Sequence, residues 1–273
     1  MTLNCKGQLI DLSTPKVMGI LNVTPDSFYD GGSYKNEHEI LEHVEKMLLE
    51  GATFIDIGAY SSRPGAKSID ETQELERIIP CMQLITKYFP ESILSIDTFR
   101  SKVAAACIEE GAAIINDISA GHQDSNMLST IGKFQVPYVM MHMKGTPQNM
   151  QQQTSYDDLM TDIIHYFSER VATAREHKIN DLIIDPGFGF SKTLEQNYEV
   201  LKRMNLFKAF ELPILAGISR KSMIYKKLEV TPQKALNGTT ALNMVALGKG
   251  ANILRVHDVA EAIECVKLNE QLN

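Results

Sequence analysis

A chain of 273 residues, 44% hydrophobic and 22% charged, has the make-up of a globular protein, and its length matches one (β/α)8 barrel without forcing a second domain. Its 27 basic and 34 acidic side chains leave a net charge of -7. That excludes a general nucleic-acid binder, which needs a basic face against phosphates, but leaves room for one local basic pocket. Cys5, Cys81, Cys107 and Cys265 form no CxxC pair, so reduced thiols are expected rather than a zinc site or a disulfide framework. The first residues show no charged segment leading into an apolar one, and no apolar run approaches about 18 residues. Neither a signal peptide nor a membrane span is expected, and the expected location is the cytoplasm.

In chain order, the first predicted strand covers residues 17–22 and runs into a long loop, 22–33, rich in turn-forming residues. A helix over 37–50 follows, with Gly51 as its C-cap. The second strand, 53–57, leads into another long loop, 58–67; long loops in compact domains are often functional lids. The third strand is 93–97, and the helix over 101–110 after it ends at Gly111. Strands over 113–118 and 138–142 come next. The stretch 155–178 sets Leu159, Ile163, Phe167, Val171 and Ala174 on one helical face. Strands at 182–185 and 213–218 precede a helix opened by Thr231-Pro232, with proline in the first turn. The eighth strand, 252–256, leads to a final helix in which Asp258 and Glu261 have capping-box spacing.

Eight apolar runs alternating with amphipathic stretches leave two architectures, a closed (β/α)8 barrel and an open doubly wound sheet. Eight units in a chain of this length favour a TIM barrel filling residues 1–273 as one domain.

Every predicted strand finishes near a polar residue: Asn22, Asp56, Asp97, Asn116 and Asp117, His142, Asp185, then Ser219-Arg220-Lys221, and Arg255 with His257. In a barrel these ends share one face, where active sites sit. Lys221, Arg255 and His257 follow the last two strands, the usual barrel position for a phosphate. Asp97 and Asp185 offer forked acceptors, and Asn116 a carboxamide with one acceptor and one donor group, which suit a planar ring with adjacent N–H donors. The pattern predicts a phosphorylated, donor-rich heterocycle. Other motifs fail. Gly187-Phe188-Gly189-Phe190-Ser191-Lys192-Thr193 lacks the glycine before lysine of a P-loop, and His38-Glu39 with His43 is one residue too long for a zinc helix. No nucleophile elbow occurs. Lys221 could form a Schiff base, but its place beyond the strand favours a hydrogen-bond donor.

The ordered segments NVTPDSFYDGGS (22–33), SSRPG (61–65), SIDT (95–98), INDISAG (115–121), HMKGTPQNMQ (142–151), DPGFGF (185–190), SRKS (219–222) and RVHD (255–258) together resemble the dihydropteroate synthases. The resemblance implies a (β/α)8 barrel, commonly a homodimer, that joins 6-hydroxymethyl-7,8-dihydropterin diphosphate to para-aminobenzoate. It implies that Asp97, Asn116, Asp185 and Lys221 hold the pterin ring and that Arg255 packs on its face. Asn22, Ser62, Arg255 and His257 then form the diphosphate pocket, with Mg2+ near Asn22. Ser27, Phe28, Arg63 and Pro64, with Lys221 and Ser222, form the para-aminobenzoate pocket. Asp97 and Asp30 stabilise developing positive charge, and sulfonamides compete with para-aminobenzoate. One departure stands out: the family's second loop reads GGESTRPG, and here Tyr60 replaces the glutamate and Ser62 the threonine. A pterin-binding methyltransferase and a catalytically silent pterin binder are the alternatives. The SSRPG and SRKS segments oppose the first, and the set Asn22, Asp97, Lys221, Arg255 and His257 opposes the second.

Overall fold

A computed structural model describes residues 1–23, 34–60 and 69–272. The chain begins with an antiparallel hairpin, β1 (Thr2–Cys5) and β2 (Gln8–Asp11). Eight parallel strands follow: β3 (Lys16–Asn22), β4 (Phe54–Gly58), β5 (Ile93–Asp97), β6 (Ile114–Asp117), β7 (Tyr138–Met141), β8 (Leu182–Asp185), β9 (Leu215–Ala216) and β10 (Ile253–Val256). Their order is β8-β7-β6-β5-β4-β3-β10-β9, and a parallel bridge between Ile184 and Ile214 joins the two ends. That closure makes the predicted barrel. The helices are α1 (Tyr34–Leu49), α2 (Glu71–Tyr88), α3 (Ser101–Glu109), α4 (Met127–Phe134), α5 (Leu159–Glu176), α6 (Leu194–Arg203), α7 (Ser222–Tyr225), α8 (Leu236–Gly248) and α9 (Val259–Glu270).

Burial on both faces explains the near-continuous apolar strands: β4, β6, β7 and β8 are buried at every position. One large cluster fills the space between sheet and helices. A second, with Met18, Phe54, Ile93, Ile114, Val139, Ile183, Leu215 and Ile253, lies inside the barrel. The hairpin joins this second cluster through Leu3, Cys5, Ile10 and Leu12, so it plugs the N-terminal end of the barrel. All four cysteines are free and buried, and burial raises the thiols of Cys5, Cys81 and Cys107 to about 12.

Several expectations change in detail. The strand predicted over 213–218 shrinks to the two residues of β9. The helix predicted over 155–178 starts at Leu159, because the Asp158 side chain accepts from Thr161 N at 2.8 Å and caps it. Thr231-Pro232 opens only a single 3-10 turn, Pro232–Lys234, ahead of α8. Asp258 precedes α9 without capping it. Its carboxylate is taken by Arg220, with Nε at 2.8 Å and Nη2 at 2.6 Å, a bidentate pair stronger than a cap.

Candidate active site

The strand ends bring together a buried polar cluster. Asp56, on β4, is fully buried inside an otherwise apolar strand and is satisfied three times. Its carboxylate accepts from Ser95 Oγ at 2.5 Å, Asn116 Nδ2 at 3.0 Å and Arg255 Nε at 2.6 Å. Arg255 also donates through Nη2 to Asp97 Oδ2 at 2.8 Å. The guanidinium from β10 is thus held edge-on by two carboxylates from β4 and β5, which fixes the plane of its π-face. Burial pulls the Arg255 pKa down, but the charges of Asp56 and Asp97 overcome it and hold the group above its ordinary value. Asp97 moves the other way. Burial raises its carboxyl to about 7, and the neighbouring Asp56 adds to this against the pull of Arg255.

Asp185, at the end of β8, accepts from Gly187 N at 2.8 Å through Oδ1. Burial raises its carboxyl, with Lys221 opposing. Lys221 donates to the carbonyl of Phe188, and its Nζ lies 4.7 Å from the centre of the Phe190 ring. Burial lowers its pKa to about 8, with Asp185 opposing. A Cβ placed on Gly217 would lie 3.8 Å from Lys221 Nζ and 3.9 Å from Asp185 Oδ2, so this lysine and this acid border the same glycine. The turn after β8 depends on glycine: Gly187 and Gly189 have φ of +70° and +83°, and a Cβ at Gly187 would collide with the carbonyl of His142.

Further polar groups stand at neighbouring strand ends. His257 follows β10, and its ring nitrogen Nδ1 is 3.0 Å from Ser219 Oγ, which also accepts from His257 N at 3.2 Å. Asn22 closes β3 opposite Gly58, and Ser222 opens α7 directly after Lys221. An apolar wall of Ile118, Met141, Met143, Met150 and Phe190, with Phe99 against it, completes the surroundings. Arg220, with φ of +54°, is turned to Asp258, which leaves Lys221 as the cation of the SRKS segment beside Asp185.

Two polar strand ends serve packing instead. Asp117 accepts from Tyr138 Oη at 2.6 Å, from Ser119 N and Oγ, and from Gly121 N. His142 lies edge-on to Tyr166, 4.9 Å between ring centres, and 3.0 Å from Lys192 Nζ. Asp56, Ser95 and Ser219 are the contributors that sequence reasoning gave no role. The signal for Asp56 was available: a carboxylate inside Phe54-Ile55-Asp56-Ile57 must have buried partners. Tyr60 accepts from Gln148 Nε2 at 2.8 Å and packs edge-on to Phe99 at 5.2 Å, so it contacts the loop after β7 with no charge. Ser27, Phe28, Asp30, Ser62, Arg63 and Pro64 lie outside the described residues.

Residues 18–257 match the family described as pterin binding enzyme. The dihydropteroate synthase of Escherichia coli is 42% identical over 99% of this chain and 96% of its own length. That of Haemophilus influenzae is 40% identical over 98% of each. Among solved structures, a Yersinia pestis dihydropteroate synthase in a sulfonamide drug complex superposes with a TM-score of 0.93 at 44% identity, covering 100% of this chain and 99% of that one. A Xanthomonas albilineans dihydropteroate synthase with 4-aminobenzoic acid gives 0.91 at 35% identity, covering 99% and 97%. With a barrel whose strand ends gather Asp56, Asp97, Asn116, Asp185, Lys221 and Arg255 around one mouth, this chain belongs to the dihydropteroate synthase family of pterin binding enzymes.

Proposed function

We propose that the chain condenses 6-hydroxymethyl-7,8-dihydropterin diphosphate with para-aminobenzoate to give 7,8-dihydropteroate and diphosphate. The observation that carries this reading is the clamped Arg255 guanidinium, with Nε on Asp56 and Nη2 on Asp97, beside the Asp185–Lys221 pair. Asp185 accepts from the ring's amino group and adjacent N–H, Lys221 donates to its oxygen and nitrogen, and Asn116, oriented by Asp56, adds a further polar contact. The Arg255 plane stacks on the flat ring.

The carbon–oxygen bond at the pterin methylene breaks first, and diphosphate leaves with the electron pair. Arg255, His257, Ser62 and Asn22 receive it. The ring delocalises the positive charge left on the methylene, while Asp97 and Asp30 stabilise it. The arylamine nitrogen then attacks and loses a proton. It needs no strong base, because it is neutral at pH 7. Ser27, Phe28, Arg63, Pro64, Lys221 and Ser222 orient it, and sulfonamides, which mimic it, compete there.

Mg2+ is the cation this reading calls for. Asn22 offers a neutral carboxamide oxygen at the barrel mouth, and among the described residues no group of three or more His, Cys, Asp or Glu converges on one point. That donor set fits an ion carried mainly by diphosphate oxygens and water, with Asn22 as a protein ligand. When bound, it neutralises charge on the leaving group.

A homodimer fits the exposed apolar side chains of Val245 on α8 and Leu228 in the segment before it. A cytoplasmic location fits the four free thiols; no helix among the described residues is long and apolar enough to cross a membrane.

The test is diphosphate release from purified protein with the pterin substrate and Mg2+, with and without para-aminobenzoate. Release coupled to dihydropteroate formation is expected. Pterin binding without release, followed by methyl transfer from methyltetrahydrofolate, would replace this reading with the methyltransferase one.

A further inference from the structure

The turn after β8 holds a buried cation that the reaction above does not use. Lys192 is 4% exposed, and its Nζ faces three acceptors, His142 Nδ1, Gly187 O and Phe190 O, each at 3.0 Å. An ammonium has three N–H donors and no acceptor, so this set satisfies it completely. His142 must then present a bare Nδ1 and carry its proton on Nε2. Burial, and then the charge of Lys192, keep that ring neutral by lowering its pKa. Such a lysine is costly to bury, and burial pulls its pKa down to about 7 against the attraction of Asp185. Methionine would fill similar space without that cost, so packing alone does not account for a lysine here.

Its three bonds hold one turn. Gly187 is fixed at both ends, since its carbonyl accepts from Lys192 and its N–H donates to Asp185 Oδ1. The Phe190 carbonyl accepts from Lys192, and the Phe190 ring faces Lys221. Between these two anchor points, the Phe188 carbonyl accepts from Lys221, and a Cβ on Gly189 would meet Lys221 Cδ at 3.2 Å. The surfaces against which Lys221 rests therefore belong to the segment that Lys192 fixes.

We propose that Lys192 is a positioning residue for Lys221: by fixing the carbonyls of Gly187 and Phe190 it sets the Phe188 carbonyl and the Phe190 ring that aim Lys221 at the pterin. The proposal rests on the reading of this mouth as a pterin site. It never brings Lys192 into contact with substrate.

The test is a double-mutant cycle on the full chain, with 6-hydroxymethylpterin as the calorimetric ligand and steady-state kinetics alongside. Lys192→Met is expected to weaken pterin binding about tenfold, the effect of losing one well-aimed polar contact. The KM for para-aminobenzoate should stay within twofold. In a Lys221→Met background the same change should shift pterin affinity less than twofold, because the residue being positioned is gone. An equal loss with and without Lys221 would overturn the proposal. So would unchanged pterin affinity in a Lys192→Met protein that melts cooperatively. If Lys192→Met does not fold, Lys192→Gln, which keeps two N–H donors, carries the same cycle under the same criteria. A wild-type chain that binds no pterin would instead remove the functional reading, a result distinct from normal wild-type binding with an additive cycle.

Discussion

Asp97 is hydrogen-bonded to Arg255 at 2.8 Å and still has its carboxyl pushed up to about 7, because burial and the charge of Asp56 outweigh the guanidinium. Lys221, across the mouth, is drawn down to about 8. In the proposed mechanism Asp97 stabilises cationic charge only when ionised, so kcat/KM for the pterin substrate should rise with pH through about 7. Lys221 donates best when protonated, so it should fall again above about 8. The measurement is a pH profile of wild type and Asp97→Asn. The variant should lose the acid limb and about 100-fold in kcat/KM at the optimum. An unchanged acid limb would assign it to another group.

The same shift governs stability. Between pH 4 and 7 the folded chain holds a proton on Asp97 that the unfolded chain does not. The contribution of Asp97 to stability therefore grows as pH falls through 7 and is complete near 4. In thermal melts the wild type should gain on Asp97→Asn as pH drops from 7 to 4, and the Tm difference should level off above about pH 8. A constant Tm difference from pH 4 to 8 would contradict it.

Asp56→Ala should both destabilise the barrel and impair turnover. It leaves Arg255 with Asp97 alone and strips partners from Ser95 and Asn116. Breaking one side of a buried ion pair costs about 3 kcal/mol. Urea unfolding should show a loss of that order, with pterin affinity falling more than para-aminobenzoate affinity.

Gly187→Ala should be more damaging than a one-methyl change suggests. The residue has φ of +70°, and its new Cβ would collide with the carbonyl of His142. A cost of about 2 kcal/mol or more is expected in chemical denaturation, together with weaker pterin binding, since Gly187 N holds Asp185.

Leu3→Ala separates stability from activity. Leu3 is 1% exposed and packs in the cluster that plugs the barrel floor, at the end opposite the site. Its truncation should cost about 2–4 kcal/mol in urea unfolding while kcat at 25 °C stays within twofold.

The barrel was legible because buried parallel strands leave continuous apolar runs; residues 93–97 and 182–185 were bounded as observed. The hairpin at the N-terminus was not, because four-residue strands with only Leu3, Cys5 and Ile10 turned inward carry too short a pattern. Helix α2 was not predicted: its Asp70–Gln73 capping box lies in a stretch dense with charge, which blurs the apolar face. That Asp97, Asn116, Asp185, Lys221 and Arg255 gather at one mouth was readable from their places at strand ends. What was not readable is which way each side chain turns: Asn116 and Asp117 are neighbours, yet one joins the Arg255 cluster and the other binds Tyr138. Lys192 escaped because its three acceptors include two backbone carbonyls, which leave no mark on the sequence.

Asp56 and Asp97 both come from the first half of the chain, whereas the guanidinium they share arrives from the last strand, 199 and 158 residues further on. As the chain leaves the ribosome, the two acids are made long before the cation that reconciles them, and until β10 arrives they stay in water or take up a proton. The same contact ties the two ends of the sequence together: the bonds that fix the plane of Arg255 can form only after the final strand has been synthesised.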